Sequence, residues 1–393
     1  MCSAPRRLTY NHTLYACYIG YITQAVVNSL APLLFLHFQE AFSLSLAQIT
    51  LLTTVNFGVQ LCIDFLSTFF VDRIGYRPCV IAAHIFAALG LFCMAWLPSL
   101  TAPYAGLMFS VILYAIGGGL IEVLISPIVE ACPTEKKEAA MSLLHSFYCW
   151  GVAGVILVST VFFHFFGTIH YQWLTCLLAM IPAFNTFLFA RVPIFPIVGE
   201  DTPQLSLSAL VRNRIFWILL LMMICAGASE QAMSQWASAF AEAGLHLNKS
   251  LGDLAGPLAF SLLMGSARAL YGRFSDRLPL RSAMLGSALL CLVCYILCVT
   301  TKSAVLALIG CALCGFSVGI FWPGTFSMAA LSVPGGGTAM YALMALFGDI
   351  GCSGGPTLVG LVAAGNSGIL TYGLASAMIF PIVMILLLLR KTR

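Results

Sequence analysis

Two short charged segments, Asp72-Arg73-Ile74-Gly75-Tyr76-Arg77 and Asp276-Arg277-Leu278-Pro279-Leu280-Arg281, stand 204 residues apart in a chain of 393. Each interrupts long apolar runs, and the offset is close to half the chain. A chain arranged this way is expected to fold as two similar membrane halves in tandem, related by a pseudo-twofold axis along the membrane normal. Parallel repeats of that kind point to a transporter whose halves rock about a site between them.

The runs between the charged segments demand lipid. Hydrophobic residues make up 61% of the chain and charged ones 8%, against roughly 45–50% and about 25% in a soluble domain. The runs do not alternate in polarity and are too long for outer-membrane strands, so the expected class is all-α integral membrane. At about 20 apolar residues per span, twelve helices are predicted, roughly over 13–36, 47–71, 78–98, 104–129, 139–166, 169–190, 215–242, 253–273, 280–301, 303–330, 335–363 and 366–389. They divide into a six-helix bundle over 1–190, a cytoplasmic linker over 191–214 and a second six-helix bundle over 215–393. Prolines 193, 196 and 203 punctuate the linker, and its Leu205 to Val211 stretch is expected along the membrane surface.

The basic residues orient this arrangement. With the N-terminus inside, 15 of the 18 Lys and Arg fall on the cytoplasmic side, Lys249 and Lys302 on the other, and Arg268 within predicted helix 8. That bias puts both termini in the cytoplasm. The net charge of +4 then reflects topology and calls for no nucleic-acid partner. The 15 cysteines lie mostly inside apolar runs without metal-ligand spacing, as small apolar filler. The first helix is too long for a signal sequence and is expected to be retained. No phosphate loop, nucleophile elbow or cofactor motif is present, so an enzyme is not expected.

The loop Thr68 to Arg77 resembles the signature Gly-x-x-x-Asp-Arg-x-Gly-x-Arg between helices 2 and 3 of the major facilitator superfamily, and Gly272-Arg273-Phe274-Ser275-Asp276-Arg277 resembles its counterpart between helices 8 and 9. The chain departs from the pattern at Thr68, where the family usually has Gly, and at Pro279. Finer likeness to the fucose permease branch (fucose:proton symporters, bacterial type) comes from four stretches. Gly117 to Pro127 with Leu144 to Gly151 looks like its helices 4 and 5, Ala228 to Trp236 like its helix 7, and Gly319 to Gly324 like its helix 10; Phe38 to Phe42 follows helix 1. The resemblance implies the major facilitator fold, with twelve helices in two pseudo-symmetric bundles. It also implies a conformational latch built from Asp72, Arg73, Gly75, Arg77, Gly272, Asp276 and Arg277. The chemistry is legible in the residues: an Asp at a helix end with arginines beside it can meet the positive N-terminus of a neighbouring helix, and that contact must break when halves rock. The alternative reading is a loop that serves only as a topogenic signal.

Ionisable groups within spans cost about 2.5–3.5 kcal/mol each at a helix centre and so face an interior. Asp64, Glu122, Glu230 and Asp349 qualify. Glu122 shares a helical face with Ser126 and matches the family's helix-4 glutamate, to which the resemblance assigns proton and substrate coupling. Glu230 opens a polar face with Gln231, Ser234, Gln235 and Trp236, Gln231 pairing to Gln235 at i+4; carboxylate, amide and indole together suit a sugar's hydroxyls and C–H surface. Membrane-interface anchoring is the other reading of Trp236. Asp349 occupies the pseudo-repeat position of Cys149 and either gates, by bonding a neighbouring helix, or binds a proton. Asn56, Gln60 and Asp64 form an i, i+4, i+8 stripe that must face protein or water, and Gln24 and Asn28 pair similarly on helix 1. Here the chain departs from the branch, which carries an Asp on helix 1. If coupling requires that Asp, this chain either couples through Glu122 alone or does not use protons.

His145 and Tyr148 are candidates for the substrate wall, and Trp322 stands near the helix-10 counterpart of Glu122. Arg268, close to the end of its helix, is expected to snorkel or pair with the loop, and with no central Lys or Arg a multivalent anionic substrate is disfavoured. The resulting expectation is a secondary active transporter in the bacterial cytoplasmic membrane, monomeric, moving a neutral sugar or similar small polar solute by proton symport. Its substrate site would comprise Gln24, Asn28, Glu122, His145, Tyr148, Glu230, Gln231, Gln235, Trp236 and Trp322, with Glu122, Glu230 and Asp349 handling protons. An exporter of hydrophobic or cationic compounds is the alternative.

Overall fold

The computed structural model describes residues 8–196, 205–235, 249–367 and 369–390. Every regular element among them is helical: α1 (Tyr10–Phe42), α2 (Leu46–Ile74), α3 (Tyr76–Leu100), α4 (Pro103–Ala131), α5 (Lys137–Phe166), α6 (Tyr171–Arg191), α7 (Leu207–Arg212), α8 (Arg214–Ser234), α9 (Lys249–Phe274), α10 (Leu280–Thr300), α11 (Ala304–Val318), α12 (Phe321–Ser332), α13 (Gly337–Gly365), α14 (Leu370–Ala377) and α15 (Ile379–Leu389), with one 3₁₀ turn at Thr168–His170. Counting α11 with α12, and α14 with α15, as one passage each, eleven spans among the described residues are long and apolar enough to cross a membrane. α9 supplies a further helix of 26 residues. The short α7 overlaps the Leu205 to Val211 stretch expected to form a surface helix.

Helix starts follow local chemistry. Ser45 accepts from the Gln48 amide while the Gln48 side chain returns to the Ser45 backbone, a capping box at α2. Asn213 caps α8 by accepting from the Ile215 and Phe216 amides. Between α2 and α3 the chain turns on Gly75 at φ +96, a backbone region that a side chain would strain, which explains the glycine of the first charged segment.

Two predicted helices are interrupted. The span expected over 303–330 divides at Gly319–Ile320, and the last span divides at Met378. The same feature accompanies both. A continuous helix would have the carbonyl of Gly319 accept from residue 323 and that of Ala377 from residue 381, and both donors are prolines. The helix expected to reach 242 is described to Ser234, and residues 236–242 lie outside the described residues.

The residues cluster into two compact units: Met1–Glu135 with Gly154–Pro203 and Gly337–Ala342, and Lys136–Ala153 with Gln204–Gly336 and Leu343–Arg393. In the first, α4 packs against α1, α2 and α3, and α3 against α6. In the second, α11 packs against α9 and α10, and α8 against α12 and α15. Small residues set the closest crossings. In the first unit a Cβ at Gly117 would overlap the Ala87 amide of α3; in the second, a Cβ at Gly351 would overlap the Ile224 carbonyl of α8 and one at Gly227 the Gly348 carbonyl of α13. These obstacles are backbone and cannot rotate away. Gly351→Val is therefore expected to lower the melting temperature of the purified protein by forcing α8 and α13 apart, at a cost of about 1–3 kcal/mol or more, whereas Gly354→Ala, which meets open space, should leave it unchanged.

Candidate functional site

In the first unit, side chains of α1, α2 and α4 form a continuous polar ladder. The Gln24 amide nitrogen donates to Gln60 Oε1 at 3.0 Å and to Glu122 Oε2 at 3.1 Å. Gln60 in turn donates to Asn28 Oδ1 at 3.0 Å, where Asn56 also approaches at 3.5 Å. One turn beyond Glu122, Ser126 pairs with the Tyr21 hydroxyl at 2.8 Å. The helices come this close because α4 carries Gly118 and Gly119 opposite the ladder: a Cβ at Gly118 would sit 3.1 Å from Gln24 Oε1, and one at Gly119 3.1 Å from the Gln60 carbonyl. Gln24, Asn56, Gln60 and Asp64 are buried, while Asn28 and Glu122 are half-buried. Gln24, Asn28 and Glu122 are thus brought together. Gln60 and Asn56, read from sequence only as a stripe seeking neighbours, connect them.

Two acceptors of this ladder, Gln24 Oε1 and Asn56 Oδ1, are buried with no hydrogen-bond partner among the described residues. Buried amide oxygens left this way cost free energy unless a donor arrives. A solute bearing hydroxyls could supply one to each, and Glu122 adds a charged acceptor beside them.

The second unit holds a cluster of different character, centred on Arg268. Its guanidinium donates from Nε to the Gly319 carbonyl at 2.6 Å, and from Nη1 to the His145 carbonyl and Cys149 Sγ, both at 2.9 Å; Nη2 stands 3.6 Å from Glu230 Oε2. The Arg268 carbonyl accepts from Ser142 at 2.7 Å. Arg268 is 2% exposed, which overturns the expectation that it snorkels or reaches the loop. The side chain turns inward because Glu230 and the carbonyl orphaned by Pro323 both need a donor, and one guanidinium serves them together. The buried guanidinium also removes the ground for disfavouring a multivalent anionic solute.

Around that pair, the His145 ring lies 5.8 Å from Phe326, Phe326 lies 6.3 Å from Trp322, and the outer edge of the Trp322 indole lies against Gly348, where a Cβ would strike the ring. Gln231 donates to Glu230 Oε1 at 3.4 Å, so its side chain pairs with its neighbour and not with Gln235 as expected. Gln235 is exposed, Tyr148 and Asp349 are half-buried, and Trp236 lies outside the described residues. No metal-binding cluster of His, Cys, Asp and Glu occurs among the described residues.

The two charged segments repeat in contacts as well as in letters. Arg77 donates to the Phe189 and Val192 carbonyls at the end of α6, each at 2.8 Å, and Arg281 to the Leu388 and Arg390 carbonyls at the end of α15 at 2.7 and 2.6 Å. Each second arginine thus satisfies the orphan carbonyls and negative pole of a helix C-terminus. The aspartates meet helix starts. Asp72 accepts from Thr338 in the first turn of α13, and Thr338 also pairs with Tyr76; Asp276 pairs with Lys136, immediately before α5. Gly272 packs against α5, its would-be Cβ 3.2 Å from the Ala139 carbonyl, and beside it Tyr271 donates to Glu138 at 2.8 Å. Arg73 and Arg277 are exposed.

Apolar helices long enough to cross a membrane, a repeated charged loop and polar clusters buried within helical units fit a multi-pass membrane transporter. The sequence model of the Major Facilitator Superfamily matches residues 17–356, and the chain belongs to that superfamily. Its fold is that of solved members. The Escherichia coli fucose:proton symporter FucP superposes with a TM-score of 0.81 at 17% identity, over 97% of this chain and 98% of that one. The human organic anion transporter MFSD10 (TETRAN) gives 0.76 at 14% identity over 98% and 100%, and the proton:xylose symporter XylE bound to 6-bromo-6-deoxy-D-glucose gives 0.77 at 12% identity over 96% and 94%. No match is found among curated proteins.

Proposed function

We propose that this transporter moves a small neutral polar solute, a sugar or close relative, by proton symport through alternating access. The observation that carries the reading is the pair of buried, donor-seeking oxygens of Gln24 and Asn56 in a ladder that ends on Glu122. Hydroxyl donors satisfy such oxygens, and a carboxylate hydrogen-bonded to Gln24 can exchange its charge for a proton as solute enters and leaves. The sugar:proton symporters FucP and XylE among its structural neighbours support the same reading. His145, Tyr148, Glu230, Gln231, Gln235, Trp236 and Trp322 are proposed as the second unit's contribution to solute binding, with Asp349 and Glu230 as further proton-handling groups. Both bundles, each of six helices, work as one monomer in a bacterial cytoplasmic membrane with its termini in the cytoplasm.

A thermal-stability screen of the purified protein across sugars, nucleosides and cationic drugs tests this. A sugar at about 100 times its Kd stabilises the folded protein by about 2.7 kcal/mol, so a rise in melting temperature confined to sugars is expected. A rise with hydrophobic cations alone would replace the reading with an exporter.

The charged loops act in this scheme as the latch, with Asp72 holding the start of α13 and Asp276 the start of α5. Asp72→Asn keeps an acceptor for Thr338 but removes the charge, turning a charge-assisted hydrogen bond worth about 1.5–3 kcal/mol into an ordinary neutral one. It is therefore expected to shift spin-label distances between the two repeats toward the opposite conformation and to slow transport more than it weakens solute binding. Identical distance distributions in wild type and variant would leave the motif a topogenic role alone.

A further inference from the structure

A proline in the interior of a membrane helix leaves the carbonyl four residues before it in want of an amide. In this chain the case of Gly319 and Pro323 is unlike its counterpart at Ala377 and Pro381, because the missing donor is supplied by a charged side chain from another helix. Arg268 Nε takes the Gly319 carbonyl at 2.6 Å, and the same guanidinium reaches the His145 carbonyl and Cys149 Sγ on α5 and the Glu230 carboxylate on α8. All four partners belong to the second unit. The residues that flank the break, Trp322 and Phe326, are those that stand against Gly348 and His145.

We infer that Arg268 is a positioning residue: it replaces the amide missing at Pro323, holds the α11–α12 break open against α5, and thereby sets Phe326 opposite His145 and Trp322 against Gly348. Glu230 makes the arrangement tolerable by balancing the buried guanidinium. Without Arg268 the Gly319 carbonyl is orphaned inside the bundle, and the break loses the tie that fixes its direction. This inference does not depend on the solute being a sugar.

It predicts a specific rescue. Alanine at 323 restores an amide that can bond the Gly319 carbonyl within the helix, so Pro323→Ala should repair the local defect of an Arg268 variant, which no general stabiliser would do. The experiment compares hydrogen–deuterium exchange of peptides spanning 316–326 and thermal unfolding in the full-length protein: wild type, Arg268→Gln, Pro323→Ala and the double variant. Arg268→Gln should speed exchange across the break at least tenfold, and the double variant should return to within about threefold of wild type, with a melting temperature above that of Arg268→Gln alone. Additive destabilisation in the double variant, or exchange at 316–326 untouched by Arg268→Gln, would overturn the inference. If Arg268→Gln does not accumulate as folded protein, recovery of folded protein by adding Pro323→Ala supports the inference, and failure of Pro323→Ala to recover it counts against it.

Discussion

Glu122→Gln is expected to abolish uphill accumulation of solute while leaving the protein folded and able to exchange solute across the membrane. The Gln side chain keeps the size and one acceptor oxygen of Glu122, so the hydrogen bond from Gln24 can persist and the ladder through Gln60 to Asn28 stays assembled. What the variant loses is the ability to bind and release a proton. In proteoliposomes, accumulation driven by a pH gradient should fall to background, a loss of roughly a hundredfold or more, since proton handling is an all-or-none part of the cycle and not one contact among many. Counterflow of labelled against unlabelled solute should survive. A variant that still accumulates solute would remove Glu122 from coupling and shift attention to Glu230 or Asp349.

The second large effect concerns stability. Arg268→Ala leaves Glu230, 6% exposed, without its counter-ion and strips donors from two buried carbonyls. Breaking a buried pair from one side costs about 3–5 kcal/mol, enough to exhaust the stability of many proteins. Little folded protein is expected by fluorescence-detected size exclusion. Combining Arg268→Ala with Glu230→Gln removes the stranded charge and should restore part of the folded yield, the deficit that remains reflecting the orphaned carbonyl of Gly319. If the double variant is no better than Arg268→Ala, the 3.6 Å approach of the two groups carries no charge compensation.

Much of this architecture could be read before any coordinates. Membrane helices announce themselves by length and apolar content, and the repeated Asp-Arg segments marked where the two halves correspond; that correspondence extends to the carbonyls that Arg77 and Arg281 satisfy. The ladder was legible for a related reason. Asn56, Gln60 and Asp64 recur at one-turn intervals on an otherwise apolar helix, and polar groups so placed must find partners in the interior.

What could not be read depends on pairing between distant segments. Pro98 and Pro182 sit inside unbroken helices, while Pro323 and Pro381 accompany breaks, and the local sequence does not separate the two cases. Arg268 lies six residues before the end of α9, a position from which a long side chain could as well reach the membrane surface. Its inward course is set by Glu230 on α8 and by a carbonyl that only Pro323 makes available. Neither partner is near Arg268 in sequence.

The central claim is that the ladder from Asn56 to Glu122 couples a polar solute to a proton. The measurement closest to it is the pH of a lightly buffered suspension of proteoliposomes at the moment L-fucose or D-xylose is added outside, in the absence of any imposed gradient. The account predicts that a sugar the protein binds makes the external medium more alkaline as protons enter with it, and that Glu122→Gln abolishes the signal while retaining sugar binding. Sugar entry without proton movement, or proton movement evoked by hydrophobic cations and by no sugar, would contradict it.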